Sequence, residues 1–381
     1  MDFTVPQPIV RDIDRFRRFL QDGFAAKLAA WHRAGELSRD FFAELGRGRW
    51  YGFLCVNGRL SRGPALLEAM IAEEFAKVSP GAAIAALAHA DLGLMGLTLF
   101  GSAALQSRYG AKAVAGETVM CLGNTERHAG SDAAAVAMRA EPAPGGWRLS
   151  GAKAYVTNGA AADLAVVTAV TDPAAARNSR HSMFLVDLSS EGVRRTRLAK
   201  QVWVPSDLTR IEFERVFVGA DHLLGERGRG LPQVLTVFTH SRVPIAALSL
   251  GTALGAFELA LKRASHRTVF GRPIADFQAK AFEIAELHAR IEAARLMVWR
   301  ACAAMDSGEP FRAEASAAKY LAVEAARTTA AWAADLFGAA SVIRGHPIHT
   351  YPLDAWAASL GEGTQDVQKL VIFRELMKRF A

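Results

Sequence analysis

The hydrophobic period of this chain changes twice, and each change forces a change of secondary structure. Over residues 1–116 apolar side chains recur every three or four positions, as in "DIDRFRRFLQDGFAAKLAAWHRAG" and "PALLEAMIAEEFAKV". From 117 to 224 the spacing drops to two, in short runs such as "ETVMCLGNTE", "WRLSGAKAYVTNG", "LAVVTAVTD" and "TRIEFERVFV", separated by punctuation like "PAPGG". After "GERGRGL" the helical spacing returns and persists to the end. A face repeating every 3.6 residues is buried by a helix, and one repeating every second residue by a strand. The expected organisation is α+β: a helical domain at 1–116, a domain of short antiparallel strands at 117–224 and a second helical domain at 225–381.

Within the last region, Ile284, Leu287, Ile291, Ala294, Val298, Ala301 and Met305 step by three and four. This spacing predicts a long amphipathic helix ending at Gly308. The run "AAIAALAHADLGLMGLTLF", residues 82–100, is nearly all apolar but carries His89 and Asp91 at its middle. Charge there is costly in a bilayer, so a buried core helix is expected and no membrane partner.

Composition narrows the function classes. With 381 residues, 51% hydrophobic and 22% charged, the chain has enough apolar surface for a large core. Cys55, Cys121 and Cys302 are far apart and form no CxxC pair, which supplies neither a disulfide framework nor a zinc site. The opening "MDFTVPQPIVRDIDRFRRFL" has no secretory h-region, so a reducing, cytoplasmic location is expected. The formal charge of +7 is spread along the chain without a basic run or interleaved aromatics. That pattern argues against nucleic acid and suits an anionic small ligand or an acidic partner.

Several motifs fail on context. "GERGRG" follows no βαβ strand, there is no Walker A loop or GxSxG elbow, and His346 and His349 flank Pro347 with no acid or cysteine to complete a metal set. No metal is expected. Four other stretches carry more. "GNTERHAGSD" (123–132) combines hydroxyls and small residues that let a backbone approach a bulky anion, or is only a polar turn. "GAKAYVTNG" (151–159) sets Tyr155 and Thr157 on one strand face, suited to a planar ring, or is an ordinary strand and hairpin. "RTVFGRPIADFQ" (267–278) follows a helix, and "ASLGEGTQDVQKLVIFREL" (358–376) sets Glu362 between two glycines.

In this order and spacing the four stretches resemble the acyl-CoA dehydrogenase flavoproteins, whose patterns read TExxAGSD, GxKxxITN, RxxFGxPIxxFQ and EGTxxIQxxxIxR. The resemblance spans nearly the whole chain. It implies an N-terminal helical domain, a middle β-barrel or sandwich and a C-terminal four-helix bundle. It also implies α,β-dehydrogenation of an acyl thioester on CoA or a carrier protein: Glu362 matches the base that takes the α-proton, and N5 of FAD accepts the β-hydride. The backbone N–H of Glu362 matches the group that binds the thioester oxygen. Burial is expected to raise its pKa.

By the same resemblance Thr125, Gly130, Ser131, Tyr155, Thr157, Thr364 and Asp366 match FAD contacts. Arg267, Phe270 and Gln278 match positions reaching the ADP half of FAD in a neighbouring subunit, and Gly338 opens the turn that matches the one near the adenine. Ser131, Arg242, Gly361 and Gly363 match the substrate side. A homodimer or homotetramer is implied, with an electron-transfer flavoprotein as acceptor. Ser241 occupies the alternative base position, where serine cannot serve. Departures at "GAAS" (338–341), Asp335, Leu353 and "CVNGRLSRG" (55–63) point to a specialised branch. An oxidase of the same fold and a noncatalytic acyl or carrier-protein binding subunit stay open as alternatives. Gly361, where straight-chain members carry tyrosine, suggests room for a branched, cyclic or hydroxylated acyl group.

Overall fold

A computed structural model describes residues 4–56, 59–378 and 380. Part of the departure at 55–63, Asn57 and Gly58, lies outside the described residues. The first region holds α1 (Gln7–Gln21), α2 (Gly23–Ala34), α3 (Arg39–Arg47), the short pair β1 (Cys55–Val56) and β2 (Arg59–Leu60), α4 (Ala65–Val78), α5 (Pro80–Leu87), α6 (Met95–Phe100) and α7 (Ala103–Val114). The single run read from residues 12–35 divides at Asp22, which leaves the helical region between α1 and α2. Phe16, Phe24, Phe41 and Phe75 meet edge-on or tilted and form its centre.

Between α5 and α6 the chain passes through a π-helical segment, Ala88–Leu94, that contains His89 and Asp91. The continuous helical run Pro80–Phe100 and the helix Gly230–His266 are both long and apolar enough to cross a membrane by composition. In this fold they are core helices, 78% and 83% buried within their most apolar windows.

The middle region forms an eight-stranded sheet from β3 (Met120–Gly123), β4 (Arg139–Ala143), β5 (Gly146–Thr157), β6 (Leu164–Val170), β7 (His181–Asp187), β8 (Val193–Arg197), β9 (Leu208–Gly219) and β10 (Leu223–Leu224), in the order β10-β7-β6-β4-β5-β9-β8, with β3 paired to β6. Most pairs are antiparallel as expected, but β3 runs parallel to β6, with Met120 opposite Leu164. All four residues of β3 are buried, as a strand covered on both faces must be. The polar edge strand β8, "VRRTR", carries no hydrophobic alternation and is absent from the runs read in sequence. Edge strands use charge to prevent further pairing.

The last region is a bundle of α8 (Gly230–His266), α9 (Gln278–Asp306), α10 (Arg312–Phe337), α11 (Tyr351–Ala357) and α12 (Gln365–Met377), with a hairpin of β11 (Thr268–Val269) and β12 (Arg272–Pro273) after α8. α9 ends beside Gly308 as expected, and Leu287, Ile291, Ala294, Val298, Ala301 and Met305 form its buried stripe, whereas Ile284 is half-buried near its start. α10 lies against α8, α9 and α12, so one face of α10 reaches the loop that precedes α12.

Candidate active site

α11 ends at Ala357 and α12 begins at Gln365, and the connecting turn carries Glu362. Thr364 caps α12, its hydroxyl accepting from the Val367 N–H at 3.4 Å. The backbone does not use the two flanking glycines alike. Gly361 is not left-handed; the turn is made by Glu362 itself at φ 52° and by Gly363 at φ 93°. A Cβ at Gly363 would meet Val367 and Gln368 at 2.9 Å, so glycine is required there. At Gly361 a Cβ would meet nothing within 4 Å.

Three buried side chains fix this turn by its carbonyl oxygens. The ammonium of Lys319, from α10, donates to the carbonyls of Gly361 and Gly363. Arg242, from α8, donates through Nε to the Glu362 carbonyl at 3.3 Å. Gln368 Nε2 donates to the carbonyls of Glu362 and Gly363 at 3.1 and 2.8 Å. Arg242, matched by resemblance to the substrate side, thus engages the main chain of Glu362. Lys319, in "ASAAKYLA", was not singled out in sequence because nothing marks a lysine in a helical run as inward-facing.

The Glu362 carboxyl is held differently. Its Oε2 is shielded from solvent and has no hydrogen-bond partner. Burial pushes the group up to about 7, against the opposing charges of Lys319 and Arg242. A carboxylate so placed can take a proton near neutrality. At the alternative base position, the Ser241 hydroxyl donates to the Phe238 carbonyl.

The cofactor-side residues converge through the sheet. The Ala154 N–H donates to the Thr125 carbonyl at 2.8 Å, which brings the 123–132 loop onto β5. Buried Lys153 locks the same junction, donating to Glu126 at 2.7 Å and to the Asn124 carbonyl at 3.1 Å. Glu126 in turn accepts from the Ala137 and Met138 N–H groups at 2.9 Å. These two motif residues clamp the loop. Next to them β5 has a bulge, and Tyr155 adopts φ 56° with its ring 59% exposed, while Thr157 is half-buried. Regular strand alternation therefore does not orient Tyr155; the bulge does. Gly130, with nothing within 4 Å of a Cβ, and exposed Ser131 leave the loop open. An exposed aromatic ring, free hydroxyls and an open glycine loop fit the planar ring and diphosphate of FAD.

The sheet is tied to α11, the helix leading into the Glu362 turn, by Asp354. This buried carboxyl, pushed up to about 7 by burial, accepts from the Trp203 N–H in the loop before β9. Asp366 is exposed and pairs with Lys369 at 3.2 Å.

The remaining expected residues gather elsewhere. Arg267 is exposed at the C-terminus of α8, Phe270 tips the β11–β12 hairpin at φ 51° and 97% exposure, and Gln278 opens α9. Gly338 follows α10 at φ 60°, and Arg263 joins the two helix ends by donating to the carbonyls of Leu336 and Phe337 at 3.1 and 3.3 Å. His346 and His349 serve their own loop: His346 Nδ1 accepts from the Ile348 N–H at 3.3 Å, and His349 Nδ1 lies 3.0 Å from the Ser341 carbonyl.

Three domain families match the chain in sequence: the acyl-CoA dehydrogenase N-terminal domain over residues 13–117, the middle domain over 121–216 and the C-terminal domain over 228–377. The probable acyl-CoA dehydrogenase FadE25 of Mycobacterium tuberculosis is 35% identical over 312 residues, covering 81% of this chain and 79% of the relative. Among solved structures, butyryl-CoA dehydrogenase of Megasphaera elsdenii superposes with a TM-score of 0.94 at 27% identity, covering 99% of this chain and 100% of the other. The FAD complex of PigA superposes at 0.92 with 26% identity, covering 100% of both chains. The chain therefore belongs to the acyl-CoA dehydrogenase family, FAD-containing oxidoreductases that act on CH–CH groups.

Proposed function

We propose that this protein catalyses α,β-dehydrogenation of an acyl-CoA thioester, with Glu362 as the base that removes the α-proton. FAD, when bound, supplies the acceptor for the β-hydrogen as hydride. The observation that carries this reading is the contrast at 361–363: every clamp reaches a main-chain carbonyl, and none reaches the Glu362 carboxylate. The backbone is held while the carboxyl stays available for a proton. Thr125, Tyr155 and Thr157 would hold the flavin ring, Gly130 and Ser131 the diphosphate, and the Glu362 N–H would donate to the thioester oxygen.

The reading extends to assembly. Arg267 lies 25 positions beyond Arg242 along α8, about 37 Å at helical rise, so the two groups cannot line one compact site in a single chain. A homodimer, doubled to a homotetramer, would let the Arg267, Phe270, Gln278 and Gly338 group complete the site of a second copy. The fully exposed Phe270 supports this. Electrons would leave to an electron-transfer flavoprotein. Three free cysteines, two of them buried with thiols pushed up by burial, fit the reducing cytoplasm.

Replacing Glu362 by Gln tests the base. The variant is expected to retain FAD and lose about 10²–10⁴-fold in anaerobic flavin bleaching by its thioester. A rate within about threefold of the parent overturns the assignment, since a general base contributes far more.

A further inference from the structure

A buried ion pair joins the two stretches assigned to the flavin. Lys153 is fully buried, Glu126 is 5% exposed, and the two are 2.7 Å apart. Glu126 directly follows Thr125, and Lys153 stands two positions before Tyr155. The ammonium also donates to the Asn124 carbonyl at 3.1 Å, and the Asn124 side chain accepts from the Thr168 hydroxyl of β6 at 2.6 Å. The pair is thus anchored in the sheet while its acid belongs to the loop.

The bonds of Glu126 give that loop one shape. Its main chain exchanges two hydrogen bonds with Ala129, N–H to carbonyl in both directions at 3.0 Å, which closes a turn over Arg127 and His128. Its carboxylate accepts from Ala137 and Met138, so the two ends of the segment 126–138 are drawn together. Directly after the turn, the N–H groups of Gly130, Ser131 and Asp132 donate to no protein acceptor among the described residues. Three successive unused donors beside the exposed Ser131 hydroxyl suit a bound anion.

We propose that Lys153 and Glu126 are positioning residues for the cofactor: their ion pair holds the 126–132 loop against β5 in the shape that binds the FAD diphosphate, and retention of FAD depends on it. This rests on the placement of FAD at Thr125, Gly130, Ser131, Tyr155 and Thr157. A buried ion pair is a weak source of stability, because desolvation offsets its attraction, but removing one partner leaves the other charge unpaired beside the site. The pair fixes where the loop donors stand relative to the ring contacts on β5.

A pH dependence follows. Burial holds the Lys153 ammonium down to about 8, against the pull of Glu126. Burial raises Glu126, but Lys153 and the two backbone donors outweigh it and leave the carboxyl below its ordinary range. The other titratable or charged groups around the pair are His128, 3.6 Å from Glu126, and His181 of β7 with Arg180 before it. The ion pair is therefore intact at pH 7 and is lost as pH rises through about 8; at pH 9 the neutral amine prevails by about ten to one.

The test starts from the FAD-loaded protein. Release is followed by the recovery of free flavin fluorescence after dilution, and folding separately by circular dichroism and thermal unfolding. In Lys153→Met and in Glu126→Gln, release at pH 7 is expected to be at least about tenfold faster, and in the double variant no faster than in the faster single one, because two partners acting as a unit do not add. A folded variant isolated without FAD reports the same loss in full. In the unmutated protein, release is expected to accelerate at least about fivefold from pH 7 to pH 9, and in Lys153→Met to stay within about twofold over that range. Gly130→Asp separates the proposal from its premise, since a Cβ there meets nothing within 4 Å and a carboxylate repels a diphosphate. Unchanged retention in Gly130→Asp removes the placement of the diphosphate at this loop, and the proposal with it. Fast release in Gly130→Asp, with both single variants within about threefold of the parent, overturns the proposal alone. So do losses that multiply in the double variant, or a parent whose release is the same at pH 7 and pH 9. The comparison across pH needs no substitution and decides the question even where a variant fails to fold.

Discussion

Lys319→Met separates the electrostatic work of the clamp from its geometric work. The substitution keeps a long unbranched side chain and removes the ammonium that opposes protonation of Glu362 most strongly. An opposite charge in close contact shifts a carboxyl by about 1–3 units, and Arg242 remains as the second cation, so a rise of about 1–2 units is expected. Half-ionisation then moves from about 7 to about 8–9. At pH 7 the ionised fraction falls from about one half to between about a tenth and a hundredth, a loss of about 5- to 50-fold in proton abstraction. The geometric cost is smaller. Gly363 keeps the Gln368 amide on its carbonyl at 2.8 Å, and exposed Gly361 can take water instead. Single-turnover flavin bleaching across pH is therefore expected to show a midpoint displaced upward and a plateau within about threefold of the parent. An unmoved or lowered midpoint, or a loss of the same size at every pH, would refute the electrostatic argument.

Other expected outcomes follow from the same geometry. Glu362 has a folded-state pKa raised from 4.5 to about 7, so the unfolded chain gives up its proton first. Its contribution to stability is complete below about 4.5 and is lost as pH rises to about 7, at a cost of about 3 kcal/mol. Glu362→Gln should therefore be more stable than the parent at pH 8 and nearly equal to it at pH 4 in thermal unfolding; a constant difference at both would refute this. Arg267→Ala should weaken FAD retention and self-association together, since neither belongs to the Glu362 end of its own chain; sedimentation of the unmutated protein as a fully flavinated monomer would refute the shared site. Gly361→Tyr should fold normally, because a Cβ there meets nothing within 4 Å, and should lower kcat/KM for a branched thioester more than for a straight one; equal losses would show that this space does not serve the acyl group.

How far the sequence reaches depends on which physical signal a residue leaves. The domain order was legible because a core imposes its period on many residues at once, and Leu287 through Met305 line up as read. The parallel pairing of β3 was not, because four buried residues alternate no more than a covered helix turn does. Glu362 was legible from "EGT" and its three companion stretches, but which residues make the turn was not: Glu362 itself and Gly363 do, and Gly361 does not. Two glycines look equivalent in sequence, and only the packing of Val367 and Gln368 distinguishes Gly363. Lys319 and Asp91 left different traces. A lysine in a mixed helix is silent, whereas Asp91 stood out in an apolar run and was read only as evidence against a membrane. His89 left the same trace, and its two hydrogen bonds show why a polar residue in an apolar run needs its partners counted before it acquires a meaning.

The contrast between carbonyls and carboxylate at 361–363 has a physical logic of its own. Had Lys319 or Arg242 hydrogen-bonded the Glu362 carboxylate, the charge-assisted bond would have lowered its pKa and left it a poor base at neutral pH. By donating to the adjoining carbonyls, both cations hold a non-glycine residue at φ 52°, a conformation that costs about 1 kcal/mol or more. They still place positive charge near enough to keep burial from raising the carboxyl further. One set of contacts thus fixes where Glu362 stands and bounds how strongly its carboxyl holds a proton.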